Sequence, residues 1–341
     1  MSQVEIHLEK PGKFREQTGE IPELPQDHAR VRIRRIGVCG TDIHAFHGRQ
    51  PFFEYPRILG HELGAEIVEI NGDSDFKPGE AVTLEPYLND PNSPASKKGK
   101  TNCCESLQVL GIHCDGGMRP LISVPLKKLH RAATATMDQL ALVEMLCIGQ
   151  HAANRSRISP GETALVIGTG PIGMSVLQFV RAVTPNVIVA DLDESRLAFC
   201  RDSMRIEQTI RITRETNMDR ELRDRLGGEL PGTIFDATGN KQSMAGTFDC
   251  ISHGGTIVLV GLFQGDLSFN DPNFHRREVT LMSSRNATSP EFGQVIKAIE
   301  EGKIDTDPWI THRMDLSDVP SQFESVTGDS GLRKAIIHLD D

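Results

Sequence analysis

The sequence predicts an α/β protein with a doubly wound parallel sheet and a separate β-rich part. Three observations predict this fold. From Ser159 onwards, short apolar strands alternate with helical segments, which is the pattern of a parallel sheet. A glycine-rich turn joins the first of these strands to the helix that follows it. The first 130 residues instead carry short strand-like runs that glycine and proline interrupt often.

The β-rich part contains strands of partly alternating pattern. One predicted strand places apolar residues at Val31, Ile33, Ile36 and Val38. Residues 58–70 are predicted to form a turn and then a buried strand. A helix is predicted to begin near Thr136, because Thr136 and Gln139 have the spacing of a capping box, and to continue through Arg155.

The parallel sheet is predicted from apolar runs in the middle of the chain. These runs lie at 163–167, 187–191, 209–212, 233–236, 256–260 and 279–283. A helix at 171–183 follows the first strand, and helices separate most of the others. After about Ser289 one helix is predicted at 291–301, and the C-terminal remainder is expected to rejoin the β-rich part.

The glycine-rich turn has the spacing of a dinucleotide-binding site. Its first glycine permits a tight turn, its second lets a pyrophosphate approach the backbone, and its third lets helix pack on strand. The N-terminus of the helix then faces the phosphate charge. The residues predicted to bind the dinucleotide are Gly168, Gly170, Pro171, Ile172 and Gly173.

An acid stands where a ribose-binding carboxylate is expected. Asp191 ends the second strand, 18 residues past Gly173. Its carboxylate would accept hydrogen bonds from the adenosine ribose and repel a 2′-phosphate, which favours NAD over NADP. The alternative for Asp191 is a solvated turn residue. Arg196 could stack on the adenine or weaken that discrimination, and its alternative is an ordinary exposed helix arginine.

A single carboxylate interrupts an apolar run. Glu144 lies within the hydrophobic segment 140–148. An unpaired buried carboxylate is costly to keep charged, so Glu144 is protonated, paired or bound to a cation. Elsewhere the chain supplies Cys39 and the adjacent pair of His61 and Glu62. Thiolate, imidazole and carboxylate together form a zinc ligand set, which points to a metal-dependent enzyme.

Each of these residues also has an ordinary interpretation when it is taken alone. Cys39 could be a buried structural thiol, His61 a hydrogen-bonded core histidine and Glu62 a surface acid. Glu144 could pair with an arginine. Cys147, three residues after Glu144, is a rival ligand whose surroundings suit a small core residue better.

Length, charge and cysteine content narrow the class of protein. The 341 residues suffice for two domains. A net charge of −10 without a lysine- or arginine-rich stripe argues against nucleic acid and anionic membrane surfaces as partners. We find no run of membrane-spanning length and no secretory signal, so a cytoplasmic protein is expected. Seven scattered cysteines fit reduced thiols better than a disulfide framework.

These motifs, in this order and spacing, resemble the zinc-dependent medium-chain alcohol dehydrogenase family over nearly the whole chain. The motifs are 37–44 (Gly-Val-Cys-Gly-Thr-Asp-Ile-His), 60–62 (Gly-His-Glu), Glu144 and the glycine turn. The chain is more narrowly similar to the polyol, sugar-acid and threonine dehydrogenase branch. The resemblance implies a GroES-like catalytic domain at 1–148 and 290–341, a Rossmann NAD-binding domain at 149–289, and an active site in the cleft between them.

The resemblance also implies roles for particular residues. Cys39, His61 and Glu144 match the catalytic zinc ligands, and Glu62 matches a carboxylate that binds the metal directly or exchanges with water. Thr41 and His44 match the proton relay, and Asp42 could orient a ligand. The cofactor cleft is expected to be lined at the strand ends by Thr238, Val260, Gly261 and Leu262. Arg285 could bind the cofactor or a substrate carboxylate, with a structural salt bridge as the alternative.

One departure from the family concerns a second, structural zinc. Its four-cysteine frame falls on Asp90, Ser93, Ser96 and Cys104, so three of the four thiols are absent. Serine hydroxyls are poor zinc ligands, so this zinc is predicted to be lost and the segment 89–102 to be a comparatively mobile loop.

The function predicted on this basis is hydride transfer between NAD and a secondary alcohol of a polyol or sugar acid, such as an L-galactonate- or L-idonate-like substrate. Residues 109–118 resemble that group in particular. The alternatives are a threonine dehydrogenase and, in another class, a non-catalytic nicotinamide-binding sensor; a zinc-free quinone reductase is disfavoured. The resemblance implies a homodimer or homotetramer.

Overall fold

The computed structural model describes residues 2–51 and 53–339. The strands are β1 (Ser2–Lys10), β2 (Lys13–Glu20), β3 (His28–Gly37), β4 (Arg57–Ile58), β5 (Glu62–Asn71), β6 (Ala81–Leu84), β7 (Tyr87–Leu88), β8 (Gln108–Val109), β9 (Leu121–Pro125), β10 (Leu129–Arg131), β11 (Ala164–Ile167), β12 (Val187–Asp191), β13 (Gln208–Arg211), β14 (Thr233–Asp236), β15 (Thr256–Leu259), β16 (Thr280–Ser283), β17 (Ile310–Asp315) and β18 (Lys334–His338).

Helices connect many of these strands. The α-helices are α1 (Gly40–Phe46), α2 (Pro94–Lys97), α3 (Met137–Leu140), α4 (Val143–Ser156), α5 (Pro171–Val183), α6 (Glu194–Asp202), α7 (Met218–Arg225), α8 (Lys241–Cys250), α9 (Asp271–Arg277), α10 (Ser289–Glu300) and α11 (Val319–Thr327). Short 3₁₀ turns lie at Thr101–Cys103, Leu126–Lys128, Asp307–Trp309 and Leu316–Asp318.

The chain divides into two compact units. The first unit comprises Met1–Met145 and Ala287–Asp341, and the second unit comprises Leu146–Asn286. The finer division into folding domains at 148/149 and 289/290 stays a prediction.

The first unit is built mainly from antiparallel strands. Its principal sheet has the order β10-β6-β5-β3-β18-β17, with β9 also pairing with β3, and a smaller sheet has the order β2-β1-β4. In β3, Ala29, Val31 and Ile33 are buried while the intervening arginines are partly exposed. Because this alternation has a period of two residues, one face of the strand points toward the core. The last strand of the chain, β18, pairs with β3, so both chain ends contribute to this unit.

The second unit is a parallel sheet of the predicted Rossmann type. Its strand order within the described residues is β13-β12-β11-β14-β15-β16. Counted from β11, that order is 3-2-1-4-5-6, which is the doubly wound arrangement. Every residue of β11, β12 and β14 is buried, as expected for parallel strands covered on both faces. The predicted helix 171–183 and the predicted strands 187–191 and 233–236 match α5, β12 and β14.

One predicted helix is wrong in its extent. Residues 136–155 do not form a single helix, because α3 ends at Leu140 and α4 begins at Val143. The predicted capping box is confirmed. The Gln139 backbone amide donates to the Thr136 hydroxyl oxygen, and the Thr136 backbone amide donates to the Gln139 side-chain oxygen. The break is a tight turn in which the Leu142 amide bonds the Gln139 carbonyl. Both turn residues are buried and apolar, so their sequence pattern could not reveal the break.

None of the helices in the described part of the chain combines the length and apolar character that crossing a membrane requires.

Candidate active site

Cys39 stands at the junction between β3 and α1 in the first unit. It is the residue that caps the N-terminus of α1, and its amide donates to Asp42 Oδ2 at 2.9 Å. A β-carbon at Gly37, two residues earlier, would lie 2.2 Å from Glu62 Oε2 and 2.9 Å from the Ala141 carbonyl oxygen. Only glycine therefore allows the Glu62 carboxylate to pack against this junction.

His61 and Glu62 are brought to the same place by β5. His61 precedes the strand and Glu62 is its first residue; their exposures are 4% and 1%. One ligand atom of each of Cys39, His61 and Glu62 lies within 4.8 Å of the others. Cys39 is more than twenty positions from His61 and Glu62 in the sequence, and the sheet brings the three residues together as predicted.

Glu144, the second residue of α4, lies beside this group. It is 5% exposed, and its Oε1 accepts a hydrogen bond from the Tyr87 hydroxyl. Burial raises the pKa of its carboxyl, the nearby Glu62 raises that pKa further, and His61 and Tyr87 oppose the shift. Glu144 is outside the 4.8 Å group, and it pairs with no arginine among the described residues. Of the possibilities left by the sequence, pairing with arginine is therefore wrong.

The electrostatics of the group favour a cation. Burial alone would lower the pKa of His61, but the adjacent Cys39, Asp42 and Glu144 raise it well above its usual value. Several buried atoms also lack hydrogen-bond partners in the described chain. They are His61 Nδ1, Asp42 Oδ1 and Glu62 Oε1. A thiol, an imidazole and carboxylates with unsatisfied atoms form a donor set that fits zinc.

Two residues at this group were missed by sequence reasoning. Lys334, on β18, is 2% exposed; its ammonium forms an ion pair with Glu62 and donates to the Val38 carbonyl oxygen at 3.0 Å. Tyr87, on β7, is 1% exposed and bonds Glu144. The sequence offered one signal for Lys334, a lysine at the start of an apolar strand, and it offered none for Tyr87. Glu62 thus has a protein counter-ion in addition to any metal.

The predicted relay residues lie on α1. Thr41 is partly buried and His44 is exposed. Residues three positions apart on a helix lie on the same face, so the two side chains are neighbours on α1. Partial burial, followed by the charges of Arg49 and His47, lowers the pKa of His44. The lowered pKa favours the neutral imidazole of His44 at physiological pH, and its role as proton acceptor stays a prediction.

In the second unit, the glycine turn follows the carboxyl end of β11. Gly168 has φ of +86°, a conformation that favours glycine. A β-carbon at Gly173 would lie 1.7 Å from the Gly168 carbonyl oxygen. Gly170 caps α5, and Pro171 and Ile172 form its first turn. The turn is therefore closed tightly onto the helix N-terminus, which suits an approaching phosphate.

Asp191 fastens this turn to the end of β12. Its Oδ2 accepts hydrogen bonds from the Thr169 amide and from the Thr169 hydroxyl, the latter at 2.8 Å, and its Oδ1 accepts from the Asp193 amide at 2.9 Å. Asp191 is 7% exposed, so the alternative of a solvated turn residue is wrong. A carboxylate has about four acceptor positions, which leaves capacity for a ribose hydroxyl.

Arg196 lies close to the same turn. Its Nη1 would be 3.8 Å from a β-carbon added at Gly170, and its Nε is 3.8 Å from Asp193 Oδ2. It is an exposed arginine of α6 whose charge lies near the glycine turn, and its role at the pyrophosphate stays a prediction. Stacking on adenine stays a prediction.

The remaining predicted cofactor residues lie at the same edge of the sheet. The Thr238 hydroxyl and amide donate to Asp236 Oδ1 at 2.6 and 2.9 Å, and the Val260 amide donates to the Asp236 carbonyl oxygen at 2.9 Å. Gly261 packs against Gly239, and Leu262 is 73% exposed. This edge is where doubly wound sheets bind ligands.

The segment after β16 adds polar atoms at this edge. Arg285 is exposed, and its assignment to cofactor or substrate stays a prediction. Ser284 Oγ and Asn286 Nδ2 are buried without hydrogen-bond partners in the described chain, and the sequence predicted no individual role for either residue. A ligand with an amide or hydroxyl group would satisfy them.

The residues at the four-cysteine positions of the second zinc site form hydrogen bonds among themselves. Ser93 caps α2, its hydroxyl lies 3.0 Å from that of Ser96, and the Asp90 amide donates to Cys104 Sγ at 3.3 Å. Segment 89–102 contains the short helix α2, and its serine hydroxyls form local hydrogen bonds where thiolates would bind metal. Its mobility and the loss of the zinc stay predictions. Cys147 is fully buried on α4 and is not part of the Cys39 group.

Comparison with known proteins agrees with this geometry. The alcohol dehydrogenase GroES-like domain family matches residues 25–134, and the zinc-binding dehydrogenase family matches residues 171–301. The chain is 41% identical to L-galactonate-5-dehydrogenase of Escherichia coli K12 over 93% of this chain and 94% of that protein. The chain belongs to the zinc-type medium-chain alcohol dehydrogenase family. The predicted fold of a GroES-like domain with a Rossmann sheet is confirmed.

Further relatives also match the chain over nearly its whole length. The chain is 26% identical to L-idonate 5-dehydrogenase of Vitis vinifera over 94% of this chain and 90% of that protein. A crystal structure of RspB from Escherichia coli CFT073 with NADH superimposes with a TM-score of 0.92 at 27% identity, covering 99% of both chains. Zinc and NAD(H) are typical of this family, and the chain is a dehydrogenase of this kind.

Proposed function

We propose that this chain transfers hydride between NAD and a secondary alcohol of a sugar acid or polyol. The observation that carries the proposal is the buried group of Cys39, His61 and Glu62 in a chain 41% identical to an L-galactonate-5-dehydrogenase along its length. A sugar acid of the L-galactonate or L-idonate type is the substrate that the relatives favour.

The proposed zinc ligands are Cys39, His61 and Glu144, with Glu62 as an exchangeable fourth carboxylate. Zinc, when bound, supplies Lewis acidity to the substrate oxygen, and NAD supplies the hydride acceptor. Asp42 Oδ1 lies 3.7 Å from His61 Nδ1 and would orient the imidazole so that its other nitrogen binds the metal. Tyr87 positions Glu144, and Lys334 positions Glu62.

The proposed proton route uses Thr41 and His44. Thr41 would accept the proton released from the substrate hydroxyl and pass it toward His44. His44 is exposed, so it can deliver the proton to solvent, and its lowered pKa keeps it ready to accept. The relay therefore leads from a buried group to the surface within one helix.

The proposed dinucleotide site lies at the carboxyl edge of the second unit's sheet. The Gly168–Gly173 turn would bind the pyrophosphate, and Asp191 would bind the adenosine ribose. A 2′-phosphate next to this carboxylate would be repelled, so NAD is the proposed cofactor. Thr238, Val260, Gly261, Leu262 and Arg285 are proposed to border it.

The test is NADH formation by zinc-loaded enzyme with L-galactonate, L-idonate, polyols, simple alcohols and L-threonine. Turnover of a sugar acid or polyol with NAD, and much less with NADP, is expected. If L-threonine were the preferred substrate, the proposed sugar-acid or polyol class would be wrong and a threonine dehydrogenase would be the conclusion. Bound zinc and NAD with no turnover of any compound would contradict the proposal and favour a nicotinamide-binding sensor.

The assembly is proposed to be a homodimer or homotetramer, which light scattering on the purified chain would decide. A cytoplasmic location stays a prediction.

A further inference from the structure

The second unit contains a cleft at the opposite edge of its sheet from the glycine turn. The cleft has a volume of about 580 Å³ and includes Thr163, Gly232 and His253. Those residues precede β11, β14 and β15, so they lie at the amino ends of the strands. The glycine turn lies at the carboxyl ends, and a four-residue strand spans about 13 Å. The cleft is therefore separate from the proposed dinucleotide site.

Arg277, at the end of α9, is a nearly buried cation in the wall of this cleft. It is 7% exposed; its Nη1 donates to the Ile251 carbonyl oxygen, and its Nε donates to Asn273 Oδ1 at 3.1 Å. Among the described residues, no carboxylate lies within ion-pair distance of its guanidinium. A buried charge without a counter-ion is unfavourable, and the Nη2 group has no protein acceptor in the described chain.

Two more guanidinium groups line the same cleft. Arg276 directs Nε and Nη2 to Asn273 Oδ1 at 3.2 and 2.9 Å and has no carboxylate partner in the described part of the chain. Arg223 bonds Asp219 through Nε and the Gly228 carbonyl oxygen through Nη1. Arg276 Nη1 and Arg223 Nη2 make no bond to described protein atoms, so each retains donors for a ligand.

Arg223 is ion-paired with Asp219, but the two acids that line the cleft, Glu162 and Glu229, form no ion pair with Arg276 or Arg277. The Glu162 carboxylate accepts bonds from the Thr233 hydroxyl and from the Ser159 amide at 3.1 Å, and it forms no ion pair with an arginine of the described residues. Glu229 is exposed at the rim and forms no ion pair with the described residues. Arginines in the last turn of a helix also stabilise its carbonyl end. That ordinary role accounts for the bond from Arg277 to the Ile251 carbonyl oxygen, and the remaining amino groups have no acceptor among the described residues.

We propose that this cleft binds a small oxyanion, a phosphate- or carboxylate-bearing metabolite, through Arg277, Arg276 and Arg223. Guanidinium groups match such anions because their planar donors form paired hydrogen bonds. The volume is within the range of small-molecule sites, roughly 300–1,000 Å³. Bound at the ends of β14 and β15, the anion would act as a ligand distinct from substrate and cofactor.

The experiment is calorimetric titration of the full chain with inorganic phosphate and, separately, with malonate, at constant ionic strength and saturating NAD. Saturable binding of at least one anion is expected, and the stronger one identifies the phosphate or carboxylate class. Arg276→Gln should weaken binding about tenfold, which is about 1.4 kcal/mol. The matched control is Arg220→Gln, an exposed arginine on α7 that pairs with Asp224.

Arg277→Gln should weaken binding further, and Glu229→Gln should strengthen it by removing a negative charge from the rim. Glu229→Gln keeps the test valid if loss of the Ile251 contact unfolds Arg277→Gln. Absence of saturable binding, or equal affinity in all variants, would overturn the proposal. Anion binding that is seen only when NAD is left out would place the anion in the dinucleotide site and would overturn the proposal as well. A separate titration of the same proteins with NAD measures the NAD affinity, so a failure of the proposed function is distinguished from a failure of this proposal.

Discussion

At the scale of residues, the candidate metal group combines predicted ligands with charges that the sequence did not reveal. Glu62 is held by Lys334, and Glu144 by Tyr87. Each carboxylate is thus fixed before a metal binds. Ligands that are already held in place bind an ion with less reorganisation. Residues that hydrogen-bond to metal ligands usually have this effect.

We predict that Lys334→Met destabilises the zinc-free protein by about 3–5 kcal/mol, because it leaves the buried Glu62 carboxylate without a counter-ion. Urea unfolding after chelation measures the change in free energy. The double variant with Glu62→Gln should recover a large part of the loss, since both charges are then absent. A loss that is fully additive would show that the two residues do not interact.

A second residue-scale prediction concerns the pH dependence of turnover. The positive charge of Arg49 contributes to the lowered pKa of His44, so Arg49→Gln should raise that pKa. His44 would then be protonated at a higher pH, and the acid limb of kcat/KM for alcohol oxidation should move upward. The control is Arg15→Gln, which lies on the surface beside Glu9. An unchanged acid limb in Arg49→Gln would argue against His44 as the proton acceptor.

At the scale of elements, the strand, turn and helix of β11 and α5 form one tightly closed structure. Asp191 at the end of β12 accepts two hydrogen bonds from Thr169 within the turn, so the neighbouring strand β12 also holds the glycine turn in place. The same carboxylate therefore shapes the turn and stays available to a ribose. The geometry depends on glycine at the points of closest approach.

We predict that Gly173→Ala reduces NAD affinity at least tenfold, because the new β-carbon would lie 1.7 Å from the Gly168 carbonyl oxygen and open the turn. Fluorescence titration with NADH measures the affinity, and zinc content should be unchanged. Gly246→Ala on α8 is the matched control, since a β-carbon there meets nothing within 4 Å. Equal NADH affinity in both variants would contradict the proposed pyrophosphate site.

At the scale of the whole molecule, the residues proposed to bind the metal and those proposed to bind the dinucleotide fall in different units. The Cys39 group and Glu144 belong to the first unit, and the glycine turn and Asp191 belong to the second. Each function should therefore be removable without loss of the other.

We predict about one zinc per chain by elemental analysis of the purified protein, bound by the Cys39 group. Cys39→Ser should lose most of this zinc and keep NADH binding, because the dinucleotide residues lie in the other unit. Cys104→Ser should keep the zinc, since the frame around Cys104 is closed by hydrogen bonds. Two zinc ions per chain, reduced to one by Cys104→Ser, would refute the predicted loss of the structural site.

The sequence alone predicted the fold class, because its evidence is local. The apolar strands, the glycine turn at 168–173 and Asp191 are recognisable within segments of a few residues, since backbone conformation and burial impose short repeating patterns. The sequence also predicted Cys39, His61, Glu62 and Glu144 as metal ligands, and the structure brings ligand atoms of the first three within 4.8 Å of one another, with Glu144 outside that group. The break between α3 and α4 was missed, because buried apolar residues suit either a helix or a turn.

Only the tertiary structure revealed the partners of the buried charges. The bond from Lys334 to Val38 spans 296 positions, and the bond from Tyr87 to Glu144 spans 57. The arginine cleft likewise combines a helix end, a strand start and a loop of the second unit. No local pattern specifies such contacts, because they depend on which strands become neighbours in a sheet. The sequence thus determined which chemical groups are present, and the fold decided which charges are paired and which stay available to a ligand.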